Sequence, residues 1–212
     1  MLRPRLVRPF ILALSIASLA LVPATAAAQG TTAGIKGGIN LSNIVISGGD
    51  SLDISFEKRL GLVVGAFVGF DFNPNVGLQV EGLYSQKGTK STDLFGSADD
   101  LDIRVDYFEI PLLVRGNLKA AEGVRVHPYG GIVPAFKLTD KQTIGDEELT
   151  GDDALPIKSF DLGFAIGAML DIKKFIVDAR YTWGLVNVND TEGDPTEVKN
   201  RTFSIMGGFR FK

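Results

Sequence analysis

From Leu60 onward the chain alternates apolar and small or polar residues with a period of two. Leu60, Leu62, Val64, Ala66, Val68, Phe70 and Phe72 occupy one set of positions; Gly61, Val63, Gly65, Phe67, Gly69 and Asp71 occupy the other. Asn73-Pro74-Asn75 then turns the chain, since proline fixes φ and asparagine tolerates left-handed geometry. The alternation resumes with Val76, Leu78, Val80, Gly82 and Tyr84 against Gly77, Gln79, Glu81, Leu83 and Ser85. Such a period predicts strand rather than helix. The runs reach about a dozen residues, against the usual five or six of globular strands. One face is apolar and the other mixes glycine with Gln, Glu and Asp, which is the pattern of a strand with lipid on one side and a polar lumen on the other.

The same reading predicts strands over 31–43, 102–119, 124–139, 158–171, 175–183 and about 200–211, eight in all with the hairpin above. The connections alternate long and short. Polar stretches at about 44–58, 88–101, 140–156 and 188–199 are long, whereas those near 73–75, 120–123 and 171–174 are tight turns. An up-and-down barrel would place the tight turns and both termini at one rim and the long loops at the other, as bacterial outer-membrane barrels do. A soluble β-sandwich gives no reason for this asymmetry. The fold class expected is therefore all-β: an eight-stranded antiparallel up-and-down transmembrane β-barrel.

Upstream lie Arg3, Arg5 and Arg8, an apolar run from Phe10 to Val22, and Ala26-Ala27-Ala28-Gln29. A basic segment, a short apolar core and small residues before the cut are the parts of a secretory signal peptide. The apolar run is shorter than the ~20 residues of a membrane-spanning helix. Cleavage is expected after Ala28, leaving residues 29–212 as one barrel domain. Residues 1–28 carry three arginines and no acid, so the formal charge of −3 becomes about −6, with 19 bases against 25 acids. No basic run accompanies it, and nucleic acid is not an expected partner. The chain has no cysteine, which excludes disulfides and a cysteine-linked lipid anchor.

Tyr107-Phe-Glu-Ile-Pro-Leu-Leu-Val-Arg115, then His127-Pro-Tyr-Gly-Gly131, then a Phe- and Gly-rich end resemble the bacterial outer-membrane β-barrel family with PorT-like and OmpX-like members. The resemblance extends over essentially the whole of residues 29–212. It implies the location and the fold, with outer-membrane lipid as solvent and the barrel-assembly machinery as a partner during biogenesis. It implies little about activity.

The inward positions predict a lumen network of Lys36, Gln79, Glu81, Glu109, Arg115, Arg125, His127, Asp161, Asp178, Arg180 and Arg210. Eight strands enclose an interior just wide enough for side chains to fill. Unpaired charge there is costly, so a plug of paired charges is expected in preference to a pore. His127 is the single histidine, and no His-x-Ser motif accompanies it. General acid–base chemistry needs a partner within hydrogen-bond reach, so no catalytic residue is assigned. Zinc needs several His or Cys ligands, and the acidic stretch Asp146–Asp153 lacks the spacing of a dedicated calcium loop; no metal or cofactor is expected. Phe72, Tyr84, Tyr181, Trp183, Phe203, Phe209 and Phe211 fall near strand ends and suit interfacial aromatic girdles.

The function expected is non-enzymatic: a wall with a charge-filled lumen and four external loops, serving envelope structure, adhesion or interaction with a ligand or surface. The alternatives are a narrow porin-like channel for small solutes, a lipid-modifying outer-membrane enzyme, and a soluble periplasmic ligand-binding barrel with the alternation inverted.

Overall fold

The period-two runs form eight long antiparallel strands in a computed structural model that describes residues 30–47, 54–55, 57–91, 101–145, 147–149, 156–190 and 196–211. The strands are β1 Thr31–Ser47, β2 Glu57–Asn73, β3 Val76–Ser91, β5 Val124–Ile144, β6 Phe160–Ile172, β7 Phe175–Gly184 and β8 Glu197–Arg210. The fourth wall, β4, runs in three segments: Leu101–Glu109, Leu112–Gly116 and Leu118–Ala121. Each strand pairs with its sequence neighbours, and β8 pairs with β1 from Gly34↔Arg210 to Ser47↔Glu197, which closes the ring. A closed ring leaves no unpaired strand edge. The expected leader, residues 1–28, lies outside the described residues.

The register fixes the shape. The paired positions Leu41, Phe203, Tyr181, Ile166, Gly130, Val114, Leu78, Phe70 and Thr31 lead once round the ring. The path leaves β1 at Leu41 and returns at Thr31, a stagger of ten residues. Eight strands with that shear tilt by about 40° and enclose a radius of ~8 Å. Such a tube is just wide enough for side chains to fill.

Burial separates the two faces. Ile35 and Ile39 are 51% and 44% exposed, whereas Lys36 and Asn40 between and after them are 2% and 1% exposed. On β6 every outward position from Phe160 to Ile172 is apolar. At the strand rise and tilt above, that stripe is roughly 30 Å tall, which matches a hydrocarbon layer. The inverted, soluble arrangement would need the opposite burial and is not the one observed.

The strands depart from expectation in three ways. The fourth wall is not continuous over 102–119: Pro111 has no N–H to give to the ladder, and Ile110 and Pro111 form irregular bonds to Pro134 and Glu81 instead. Several walls run further than the sequence suggests. Residues 44–47, 88–91 and 140–144 belong to strands, and the short segments Ile54–Ser55 and Glu147–Leu149 pair back onto β1 and β5. The long connections are correspondingly shorter, because antiparallel pairing continues in water beyond the apolar band. The remaining parts of those connections, including 48–53, 92–100, 150–155 and 191–195, lie outside the described residues.

Candidate functional site: the filled lumen

Strand parity sends every second side chain into a tube too narrow for water-filled space. At its middle, Lys36 of β1 donates to Glu81 of β3 at 2.6 Å and to Asp178 of β7 at 2.7 Å. Arg180 of β7 donates through Nη2 to both Glu81 oxygens at 2.9 Å and through Nε to the Tyr129 hydroxyl at 3.1 Å. Tyr129 in turn donates to Asp178, and Gln79 donates to Glu81 at 2.7 Å. Two cations thus meet two carboxylates, and all four side chains are at most 3% exposed. In such surroundings a buried charge is tolerated only where its partners are fixed beside it.

Towards the rim of tight turns, Arg115 and Asn117 both donate to Asp71 at 2.8 Å. His127 Nδ1 faces Asn117 Oδ1 at 2.8 Å and Gly116 O at 3.2 Å, while Nε2 faces Asp171 Oδ2 at 3.2 Å. Arg210 Nη1 donates to the same Asp171 oxygen at 2.6 Å. Towards the loop rim, Lys87 pairs with Glu109 at 2.7 Å, and Asn200 donates to Asp161 at 2.8 Å.

Around these clusters the lumen also holds apolar side chains and neutral polar ones such as Asn40, Ser85 and Ser204. Phe67, Leu113, Val133, Met169 and Ile176 form one group with Tyr129. Val63, Leu83 and Met206 form a second, and Ile103, Val105, Tyr107 and Ala135 a third. Three cations lie over the aromatic rings: Lys36 over Phe67 at 5.9 Å, Lys87 over Tyr107 at 5.3 Å and Arg180 over Tyr129 at 5.2 Å. A ring face attracts a cation most where water is excluded. The interior mixes charged, aromatic and aliphatic side chains, with Phe67 directly across from Glu81 and Met169 across from Asp178, rather than forming a purely ionic plug.

Of the sequence-assigned lumen residues, Lys36, Gln79, Glu81, Glu109, Arg115, His127, Asp161, Asp178 and Arg180 are buried inside. Arg210 is half-buried and joined to Asp171. Arg125 is a correction: it keeps the inward parity but stands exposed at the mouth on the turn rim, with no ion pair among the described residues. Parity assigns a face, not a depth. Lys87 and Asp171 were missed because both lie where the sequence pattern runs out, beside a loop and beside a turn. Their signal was the unbroken parity with Ser85 and Met169.

The aromatic residues sort by height on the outer face. Phe72, Phe175 and Phe211 are the most exposed, at 68%, 67% and 57%, beside the turn rim. Phe209 packs edge-on to Phe175 at 5.8 Å. Tyr181 meets Trp183 at 4.6 Å, and Phe203 is the cross-strand partner of Tyr181. Tyr84 is less lipid-like than expected, because its hydroxyl donates to Asp106 at 2.7 Å and accepts from Gln86 and Arg104. Beyond Phe108 the outward positions of β4 turn polar with Asp106, Arg104 and Asp102, so this cluster stands outside the apolar band. Burial opposes ionisation of Asp106, but the hydrogen bonds from Arg104 and Tyr84 outweigh it and hold the carboxyl below its usual pKa.

No nucleophilic hydroxyl or thiol is among the partners of His127, whose contacts are an amide, a backbone carbonyl and a carboxylate. Among the described residues no three His, Cys, Asp or Glu side chains are grouped to hold a metal ion.

A closed ring with lipid-facing apolar walls and a charged, filled interior defines an integral β-barrel of the bacterial outer membrane. The chain belongs to the outer membrane protein beta-barrel domain family, whose model matches residues 27–190. Its fold is similar to that of Ail, the attachment invasion locus protein of Yersinia pestis, at 17% identity over 86% of this chain and all of that one, with a TM-score of 0.43. Neisserial surface protein A is 16% identical over 86% of this chain and all of that one, TM-score 0.48. OprG from Pseudomonas aeruginosa is 11% identical over 86% and 96% of the two chains, TM-score 0.46. No curated protein matches the chain.

Proposed function

We propose that this protein is a non-conducting, non-enzymatic barrel of the outer membrane that carries its loop rim as an interaction surface. The observation that carries this reading is the neutral, fully paired cluster Lys36–Glu81–Asp178–Arg180, packed together with buried apolar side chains across the lumen. To open a path for a solute, paired buried charges would have to separate, and a buried charge that loses its partner costs several kcal/mol. A channel of the porin kind instead keeps an aqueous lumen. The walls that rise past the apolar band on β5, β3 and β1 support a platform at the loop rim, where segments 44–58, 88–101, 140–156 and 188–199 would meet an external ligand or surface. Bacterial barrels keep their short turns on the periplasmic side, which turns this platform outward.

Planar-bilayer recording of the purified, folded protein tests the reading. Silent membranes are expected at protein doses where a porin gives steps. Regular single-channel steps that vanish in Glu81→Gln would instead make the central cluster the filter of a narrow pore. Lipid modification is tested separately: unchanged lipid profiles on overexpression of wild type and His127→Ala fit the non-enzymatic reading, and a modification lost only in His127→Ala would overturn it.

A further inference from the structure

The mouth of the barrel at the turn rim holds a crevice of about 470 Å³ with a charge that the lumen network does not use. Lys119 and Arg125, on β4 and β5, are direct cross-strand partners. Like charges placed opposite one another destabilise a sheet. Arg125 is also the cross-strand partner of Asp171, yet the Asp171 carboxylate is taken by Arg210 and His127. Lys173, in the β6–β7 turn, completes the lining with Arg210 and Glu122. Its φ of 58° is one that non-glycine residues seldom adopt. Two bonds hold it there: its N–H donates to Gly123 O at 2.8 Å and its carbonyl accepts from Arg210 Nη2 at 3.0 Å.

Once Arg210 is set against Asp171, three cations and one acid, Glu122, remain without an ion-pair partner among the described residues. That leaves a net positive mouth on a chain that is acidic overall. A second observation sharpens the ligand. Asp171 is 2% exposed and lines the crevice, but its Oδ1 atom has no hydrogen-bond partner. Buried polar atoms are normally satisfied, and a carboxylate oxygen can only accept. The missing partner is therefore a donor.

We infer that this crevice binds a phosphate group from the periplasmic side, with Lys119, Arg125 and Lys173 holding its charged oxygens and Asp171 Oδ1 accepting from an O–H of the same ligand. Arginine and lysine are the side chains that hold phosphate by charge-assisted hydrogen bonds. Hydrogen phosphate carries both the negative charge and the donor that the site lacks. Sulfate at neutral pH carries only the charge. Negative oxygens together with an O–H donor reach this rim either as free hydrogen phosphate or as a phosphatidylglycerol headgroup of the inner leaflet, in which the phosphodiester supplies the charge, the glycerol hydroxyl the donor, and the acyl chains would lie along Leu118 and Phe175.

The test uses the full mature chain folded in neutral detergent micelles, with labelled inorganic phosphate in equilibrium dialysis. Saturable binding is expected, with sulfate and chloride competing poorly at matched ionic strength. Binding should weaken at least about tenfold in Lys119→Gln/Arg125→Gln, since both charge-assisted contacts are lost. Both residues are exposed, so the heat-dependent gel mobility of the folded barrel should be unchanged. Arg125→Lys should keep most of the affinity. Competition by added phosphatidylglycerol would assign the site to the lipid headgroup; its failure to compete would assign it to free phosphate. No binding beyond that of sulfate and chloride, or equal binding by the double variant, would overturn the inference.

Discussion

Individual side chains in this barrel act through pairing, and the pairs differ in what they are worth by where they sit. Arg180 touches Glu81, Asp178 and Tyr129 in the water-free middle of the lumen. Arg180→Met leaves two carboxylates against one lysine, and a loss of about 3–5 kcal/mol is expected in the urea unfolding of the protein folded into lipid vesicles. Lys36→Met with Glu81→Gln removes a cation and an anion together. It should cost less than the sum of its single variants, and a double-mutant cycle reads the difference directly. Arg104 and Asp106 sit outside the apolar band at 2.7 Å with Arg104 partly exposed, where such a pair is worth about 1 kcal/mol or less. Its value depends on pH. The folded-state pKa of Asp106 is lowered, so its contribution is full above about 4 and is lost as pH falls through the folded value. Asp106→Asn should therefore lower the unfolding midpoint slightly at pH 7, by an amount that shrinks as the pH is taken progressively below about 4.

At the scale of strands, the alternation of residues was enough to read which face each side chain occupies. It was not enough to read how high each one sits. Lys36 and Arg125 have the same parity, but one is sealed in the middle and the other stands at the mouth. Strand ends were misread for a related reason. The hydrophobic pattern reports lipid, and strands such as β5 continue past Leu138 to Ile144 by backbone pairing and polar contacts such as Lys141–Glu148. The break at Pro111 was visible as a residue, but its effect depends on the neighbouring walls it bonds to. The apolar clusters around Phe67 and Tyr107 are hard to read in the sequence because a barrel strand of this kind is expected to carry apolar residues outward, and parity alone does not show which inward ones pack together. Close approach of strands also has a local requirement at the closing seam. A Cβ on Gly38 would stand 2.0 Å from Ile205 O, on the strand that completes the ring. Gly38→Val is expected to force β1 and β8 apart, and the folded fraction recovered in a refolding assay should fall severalfold.

For the whole molecule, eight strands and a shear of ten set a radius that side chains fill, and in the function proposed above that filling removes the aqueous path. The stability of the wall and the closure of the lumen are thus two consequences of one geometry. Among the described residues the walls of the ring pair with their neighbours along most of their length, which is what hydrocarbon demands of a spanning chain. Detergent finds no edge to invade until heat supplies the energy to open the whole ring. The direct measurement is the mobility of the protein in SDS gels, loaded from washed outer-membrane fractions with and without boiling. A membrane-bound band that migrates differently when unheated and shifts on boiling is the predicted result. Recovery in the soluble periplasm, with one mobility under both conditions, would contradict the closed transmembrane ring.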